Sequence, residues 1–351
     1  MTAEVWAAED TTPAEIEAAL RGLLEERHAH GQPCAPARVV NMVAVVDAAW
    51  RGEIMNRLEG VGRYHPSRTI LCSVEEGRTT IDARARLSAD GSGDPSLLLA
   101  LEERVDISLG PSHLRRLDAI ADPLILPDLT TMVWAPHGHQ EAIEAMRGLA
   151  DVVLLDSSDD PDPGRAVRWV CRLQEHAYVV DLAWLRSTPW RERIAATFDP
   201  ERLRPALRQI SRVVVRHRPD SALSGVLLLG WLASRLGWTP GSLVAEGERR
   251  HGRARAGKVE VGLHLEPARE LGPPGLAGLS VETEGGLSLS LDRGPGGLHA
   301  RRRTRDGRES SWVVLGASRG EAGILGEGIR QALLRDPTYG PAMRCAGALL
   351  S

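Results

Sequence analysis

Lysine is almost missing from this chain of 351 residues: of its 43 basic residues, all but Lys258 are arginine. We read that first as genomic composition. The other shortages are more informative. The formal net charge is −4, so there is no general basic field to hold nucleic acid. No run of about 18 apolar residues occurs, which argues against a membrane span. The stretch Met1 to Asp10 carries acidic residues and no basic one, which is not the pattern of a secretory signal. Cysteine is sparse: Cys34, Cys72, Cys171 and Cys345 lie far apart and form no CxxC, so neither a disulfide framework nor a structural zinc site is expected. These features fit a cytoplasmic protein with free thiols. Cys72 falls in an apolar strand and is expected to be buried and inert, while Cys34, beside Pro33, falls in a loop.

The motifs of several large enzyme classes are also absent. There is no Walker P-loop and no Gly-x-Ser-x-Gly elbow. The glycines at 271–278 and 294–297 lack the strand–turn–helix context of a nucleotide fingerprint and read as turns. His137 and His139 offer two nitrogens without a third ligand at suitable spacing, and a helix start after Pro136 accounts for them. No nucleophile–base pair stands out. The expectation is therefore a chain that is not an enzyme, with no metal and no cofactor.

What is present is a globular α/β pattern, 42% hydrophobic and 26% charged. Thr12-Pro13-Ala14-Glu15 is a capping box with proline at the first helical position. Val39 to Val46 and Thr69 to Val74 are apolar strands around a helix bearing Trp50, Ile54, Leu58 and Val61, a βαβ unit. Arg78 to Leu87 alternates as a strand with one wet face. Leu97 to Leu101 and Val105 to Leu109 read as one strand or two. Further strands are expected at Thr131 to Trp134, Val152 to Leu155 and Val213 to Val215, with helices at His139 to Leu149, Gly164 to Glu175 and Pro200 to Leu207. Leu223 to Leu236 is so apolar a helix that it must be buried on most sides, with Gly237 ending it. Ser224-Gly225 within it suggests close helix packing.

From Lys258 the texture changes to short alternating strands with glycine turns, an antiparallel meander. Ser318 to Glu321 opens another helix, and Tyr339 to Leu350 forms the last. The fold class is α/β (α+β) in two domains. An N-terminal helix (1–34) precedes a mixed-sheet domain at 35–160. A domain at 161–351 combines helices with the meander, covered by the last two helices.

The most distinctive stretch runs from Val179 to Arg193. Trp184 and Trp190, two of the chain's nine tryptophans, sit six residues apart there, in a sequence with a single phenylalanine. Thr188-Pro189 reads as an N-cap and first helical residue, with Trp190, Ile194 and Phe198 on one face. Both tryptophans fit a core. If exposed, Trp184, Trp190 and Arg191 also suit a protein interface, where Trp and Arg carry most of the energy. Asp128, Asp156 and Asp181 lie near strand ends or helix starts, where α/β proteins collect functional residues, although a cap or turn explains each equally. Arg68, after Pro66-Ser67, and Arg191 at a helix start are candidates to hold an anion such as a sugar phosphate. The basic runs at 249–255 and 301–305 read as a solvated loop and strand end, or as a cationic surface.

These pieces together resemble the OpcA family, the glucose-6-phosphate dehydrogenase assembly proteins. The motifs run in the family's order: His65-Pro66-Ser67-Arg68, then Leu124-Ile125-Leu126-Pro127-Asp128-Leu129 followed by Trp134, then Asp181-Leu182-Ala183-Trp184 with Thr188-Pro189-Trp190-Arg191. Gly230-Trp231-Leu232-Ala233-Ser234-Arg235-Leu236-Gly237 resembles the family's later helix. The resemblance implies a non-catalytic partner of glucose-6-phosphate dehydrogenase in the oxidative pentose phosphate pathway. It would promote the active oligomer or tune substrate affinity, with Asp181, Trp184, Trp190 and Arg191 as partner-binding candidates. Nucleic acid and membrane are not expected partners. Some members are thiol-regulated; here no close cysteine pair exists, and Ala135 follows Trp134 where the family often has a second tryptophan. The alternative from a different class is a sugar-phosphate-binding enzyme or sensor using Arg68 and Arg191.

Overall fold

A computed structural model describes residues 4–29, 38–62, 67–89, 101–269, 274–315 and 320–351. In chain order the first elements are β1 (Glu4–Ala8), α1 (Pro13–Ala29), β2 (Val40–Asp47), α2 (Arg51–Gly62), β3 (Ser67–Val74), β4 (Asp82–Ala89) and β5 (Leu101–Leu109). There follow α3 (Leu117–Ala121), β6 (Thr130–Trp134), α4 (Gln140–Ala145), β7 (Val152–Leu155), α5 (Pro163–Leu173), β8 (Tyr178–Asp181), α6 (Leu182–Arg186) and α7 (Thr188–Phe198). Then come β9 (Ile210–His217), α8 (Ala222–Leu236), β10 (Thr239–Pro240), β11 (Val244–Glu246), β12 (Arg249–Ala256), β13 (Val259–Pro267) and β14 (Leu276–Thr283). The chain ends with β15 (Ser288–Gly294), β16 (Gly297–Arg303), β17 (Glu309–Leu315), α9 (Gly320–Leu334) and α10 (Tyr339–Leu350). The fold is α/β with two mixed sheets, and the chain divides into two compact units. The first comprises 1–155, 176–180 and 328–332; the second comprises 156–175, 181–327 and 333–351.

The first unit is built on an eight-stranded sheet in the order β1-β4-β5-β3-β2-β6-β7-β8. β2 is parallel to both β3 and β6, β3 is parallel to β5, and β6 is parallel to β7. β4 and β1 close one edge antiparallel. Among the parallel strands the chain lays β2 down first, builds outward on one side through β3 and β5, and returns to the other side with β6. That reversal makes a switch point between the carboxyl ends of β2 and β6. β2 is buried on both faces, as its valine-rich run requires. Its one interior polar residue, Asn41, is satisfied: Nδ2 donates to the Leu126 carbonyl at 2.9 Å, and its oxygen accepts from the Leu126 N–H at 3.1 Å. The α1 capping box forms as its sequence dictates. The Thr12 N–H donates to Glu15 Oε2 at 2.9 Å, and the Glu15 N–H reaches back to Thr12 Oγ1 at 3.4 Å.

The second unit holds a sheet in the order β10-β12-β13-β9-β14-β15-β16-β17, with β11 paired to β12. β14 to β17 form the antiparallel meander, and β9 inserts between β13 and β14, parallel to the former. Val213, Val215, Val261, Leu263, Leu279 and Val281 are buried on one face. α8 packs against β9 and β13, and α10 packs against α8 and α5. Two glycines in α8 permit these approaches. A Cβ on Gly225 would stand 2.8 Å from Leu265 Cδ2 of the sheet, and one on Gly230 would stand 2.4 Å from the Ala342 carbonyl oxygen of α10. The close packing expected at Gly225 is therefore against a strand, and Gly230 makes the helix–helix contact. Gly237 ends α8 at φ +67°.

Several local expectations are corrected. The basic run at 249–255 is strand β12, with Arg253 paired to Glu260 at 2.7 Å. The segment expected as a helix from Pro200 contains only a short 3-10 stretch, Arg204–Gln209. The glycine-broken segment after 275 is strand β14. Thr188 does not cap α7; its hydroxyl accepts from Arg191 Nη2 at 2.9 Å. Trp50, placed on one helix face with Ile54, Leu58 and Val61, lies in a 3-10 turn before α2 and is 47% exposed. Cys34, His65, Pro66, Leu97 and the proposed cap at Ser318 fall outside the described residues.

Candidate functional site

The distinctive Val179 to Arg193 stretch assembles a buried polar network within the second unit. Asp181 caps α6, accepting at Oδ1 from the Ala183 N–H and the Ser157 N–H, both at 3.0 Å. Its other oxygen accepts from Ser157 Oγ at 2.7 Å and from the Tyr339 hydroxyl at 2.8 Å. Burial pushes the Asp181 carboxyl up to about 6, and the neighbouring charge of Asp156 adds to the effect. Asp156 in turn caps a short turn through the Ser158 N–H and pairs with Arg186.

One turn on, Trp184 donates from Nε1 to Asp336 Oδ2 at 2.8 Å, with its ring 5.3 Å from that of Tyr339. The Arg191 guanidinium lies 3.6 Å over the indole of Trp184. Arg191 donates from Nε to Ser187 Oγ at 3.1 Å and sits 3.6 Å from Asp336. Burial lowers its pKa to about 10, against the opposing pull of Asp336. Burial alone would raise Asp336, but hydrogen bonds from Thr338 and Trp184 outweigh it and hold that carboxyl low. Trp184 and Trp190 are each 2% exposed. The four candidates Asp181, Trp184, Trp190 and Arg191 thus lie in the interior of the second unit rather than on an exposed face.

The anion candidates are likewise engaged. Arg68 on β3 donates from Nε to Glu103 Oε2 at 2.8 Å and from Nη1 to the Leu124 carbonyl at 2.9 Å, and Arg38 pairs with the same buried Glu103. Arg191 is enclosed as described. Asp128 is exposed in the turn before β6. Arg301 and Arg303 line a hollow of about 400 Å³ on the sheet of the second unit, but Glu282 and Glu309 share its wall, so that patch is not uniformly cationic. Cys72 is fully buried, which pushes its thiol up to about 12.

A second cluster, which sequence reasoning did not assemble, lies at the switch point of the first unit. Asp47 ends β2, and the chain proceeds through Ala48-Ala49-Trp50 into α2 without a glycine. After β6, His137-Gly138-His139 turns back with Gly138 at φ +107° and His139 at φ +36°. His139 Nε2 lies 2.9 Å from Asp47 Oδ1, and the ring of His137 lies 5.2 Å from that of Trp50. Burial lowers the His137 pKa, opposed by Asp47 and Glu53. Among the described residues no group of three or more His, Cys, Asp or Glu is placed to hold a metal ion. No helix among them is long and apolar enough to cross a membrane. The signal for this cluster was topological: its members follow two strands that become neighbours only once strand order is known.

Comparison with known proteins completes the picture. A chain from Parabacteroides merdae, provisionally described as an oxidoreductase, superposes with a TM-score of 0.50 at 7% identity, covering 89% of this chain and 96% of that one, which shows the fold alone. A protein of Synechococcus elongatus, provisionally named OxPP cycle protein OpcA, is 27% identical over 202 residues, 56% of this chain and 45% of the relative. The namesake from Synechocystis is 25% identical over 231 residues, 64% of this chain and 48% of the relative. The matched stretch therefore spans just under half of each relative. Residues 59–172 match the family model of the glucose-6-phosphate dehydrogenase subunit N-terminal domain, and residues 177–343 match that of its C-terminal domain. With both models matched in order over most of its length, the chain belongs to the OpcA family of glucose-6-phosphate dehydrogenase subunits.

Proposed function

We propose that this chain is a non-catalytic partner of glucose-6-phosphate dehydrogenase in the cytoplasm, acting in the oxidative pentose phosphate pathway by protein–protein contact. The observation that carries this reading is the match, in order, to both domains of the dehydrogenase-subunit family. The geometry supports it in a second way. Arg68 and Arg191, the residues a sugar-phosphate enzyme or sensor would use, spend their donors on Glu103, the Leu124 carbonyl, Ser187 and Thr188. Asp181, Trp184, Trp190 and Arg191 then serve the partner indirectly, by fixing the shape of the second unit.

The test is the initial rate of the same organism's dehydrogenase across glucose 6-phosphate concentrations, with and without this chain. The expected outcome is a lower apparent KM or a higher kcat, with no turnover by the chain alone. An unchanged rate at every ratio, without co-elution of the two proteins, overturns the reading.

A further inference from the structure

Among the described residues, Trp50 is the one tryptophan whose ring is largely exposed. Leaving a large aromatic ring in water forgoes the gain of burying it. His137 backs the indole at 5.2 Å with the planes inclined by 31°. The turn bearing His137 is itself fixed, because His139, a non-glycine residue at φ +36°, is tied to Asp47 at 2.9 Å. A left-handed conformation outside glycine persists only where the surroundings impose it. The whole arrangement sits at the switch point between β2 and β6, where open α/β sheets collect their ligands.

Two exposed carboxylates flank Trp50 in the chain, three residues to either side. Asp47 and Glu53 are both substantially exposed, and both act on His137 through space. Arg57 pairs with Glu53, while Arg51 lies 3.6 Å from Asp106. Asp47 is held by His139 and Glu53 by Arg57, and each carboxylate still keeps a large exposed fraction. An aromatic face flanked in the chain by carboxylates matches one side chain above others. The guanidinium of arginine is flat, weakly hydrated and forked, so it stacks on an indole while donating to a carboxylate. A nucleotide phosphate matches it poorly, since the turn after β2 has no glycine before Gly52 and carries an acidic residue.

We propose that Trp50, with the exposed carboxylates of Asp47 and Glu53 flanking it in the chain, is the docking point for an arginine side chain of the partner dehydrogenase. This rests on the partner reading above. Trp and Arg are the residues that most often dominate interface energy, and here one unit presents the aromatic half of such a pair.

The experiment is a binding titration of the full chain on the immobilised dehydrogenase, comparing wild type, Trp50→Ala and Glu53→Lys at two salt concentrations, with thermal unfolding of each variant in parallel. The expected result is a loss of about tenfold or more in affinity for Trp50→Ala. A smaller loss is expected for Glu53→Lys, with a weaker salt dependence and melting transitions in place. Glu53 is exposed on α2, so its variant decides the matter if Trp50→Ala unfolds. Wild-type binding with both variants within twofold of it overturns the docking point and leaves the partner reading standing. Failure of the wild-type chain to bind at all removes the partner reading, and the docking point with it.

Discussion

Two clusters in this chain are made of the same materials and put to opposite use. In the second unit, Trp184, Arg191, Asp336 and Tyr339 stack and hydrogen-bond in the interior. In the first, Trp50, His137, His139 and Asp47 do so at the surface. The buried cluster has every described partner inside the molecule, so its energy is spent on holding the fold. The surface cluster is held from behind and open in front. Aromatic density in a sequence therefore marks where order is concentrated. Whether that order supports the core or presents a face depends on which elements arrive to cover it.

The sharpest way to break the comparison is Trp184→Ala. It removes the indole from beneath Arg191, the donor to Asp336 and the neighbour of Tyr339 at once. A loss of about 3–5 kcal/mol is expected from cavity and network together. Chemical denaturation measures it. A loss below about 1 kcal/mol would place Trp184 with surface residues and dissolve the contrast.

Next in size is Gly230→Ala. The new methyl would meet the Ala342 carbonyl at 2.4 Å and the Ala346 nitrogen at 3.0 Å, both backbone atoms of α10, so the helix must shift. α10 begins with Tyr339, whose hydroxyl serves Asp181. Overpacking of this kind costs about 1–3 kcal/mol. If the network depends on the α8–α10 distance, the variant also changes the near-ultraviolet signal of Trp184, whereas Gly22→Ala, in the interior of α1 with open space around its Cβ, leaves that signal alone and raises stability by up to about 1 kcal/mol.

How much of this was legible in the sequence follows from the same comparison. β2, β3, α8 and α10 were readable because their apolar residues carry strand or helix periodicity on their own. β12 was not, since a strand written in arginine, histidine and glycine announces no buried face; it forms because β13, β10 and β11 pair with its backbone. β14 was hidden by the glycines around it. The Trp184 stretch stood out, but its partners Asp336 and Tyr339 lie 152 and 158 residues away from the residues they serve, and no local pattern points to them. Arg68 and Arg191 looked like free cations because the sequence does not show which carbonyls and carboxylates reach them. Trp50 was grouped with Ile54, Leu58 and Val61 on one helix face by spacing alone, and only the structure shows that it precedes α2 and stays open at the switch point.

The third prediction concerns pH. Asp181 is held at about 6 in the folded chain against an ordinary value of 3.8. Because the folded value is raised, the protonated form is the one the fold favours. The associated stability is present below pH ~4 and is lost as the pH climbs toward and through ~6, by roughly 2–3 kcal/mol. Asp181→Asn keeps an oxygen for the Ala183 and Ser157 N–H groups and turns an amide toward two hydroxyl oxygens that can accept. Its stability curve should therefore be flatter than that of the wild type between pH 4 and 7. Parallel curves would show that the carboxylate stays ionised throughout, its four accepted hydrogen bonds outweighing the cost of burial.

The smallest effect is the most telling for the comparison, because it repeats the first substitution at the other site. Trp50→Ala removes a ring of the same size, but one that is 47% exposed and touches His137 rather than a closed shell. Ile54, four residues on, is fully buried and continues to anchor α2 to the sheet. The His139 to Asp47 bond does not pass through the indole. The expected loss in folding stability is therefore within about 1 kcal/mol, read in the same denaturation assay as Trp184→Ala. A loss approaching that of Trp184→Ala would mean that Trp50 supports the turn between β2 and α2, and its exposure would then be incidental. A small loss leaves a tryptophan that the fold does not need, held in the open at the point where the sheet reverses.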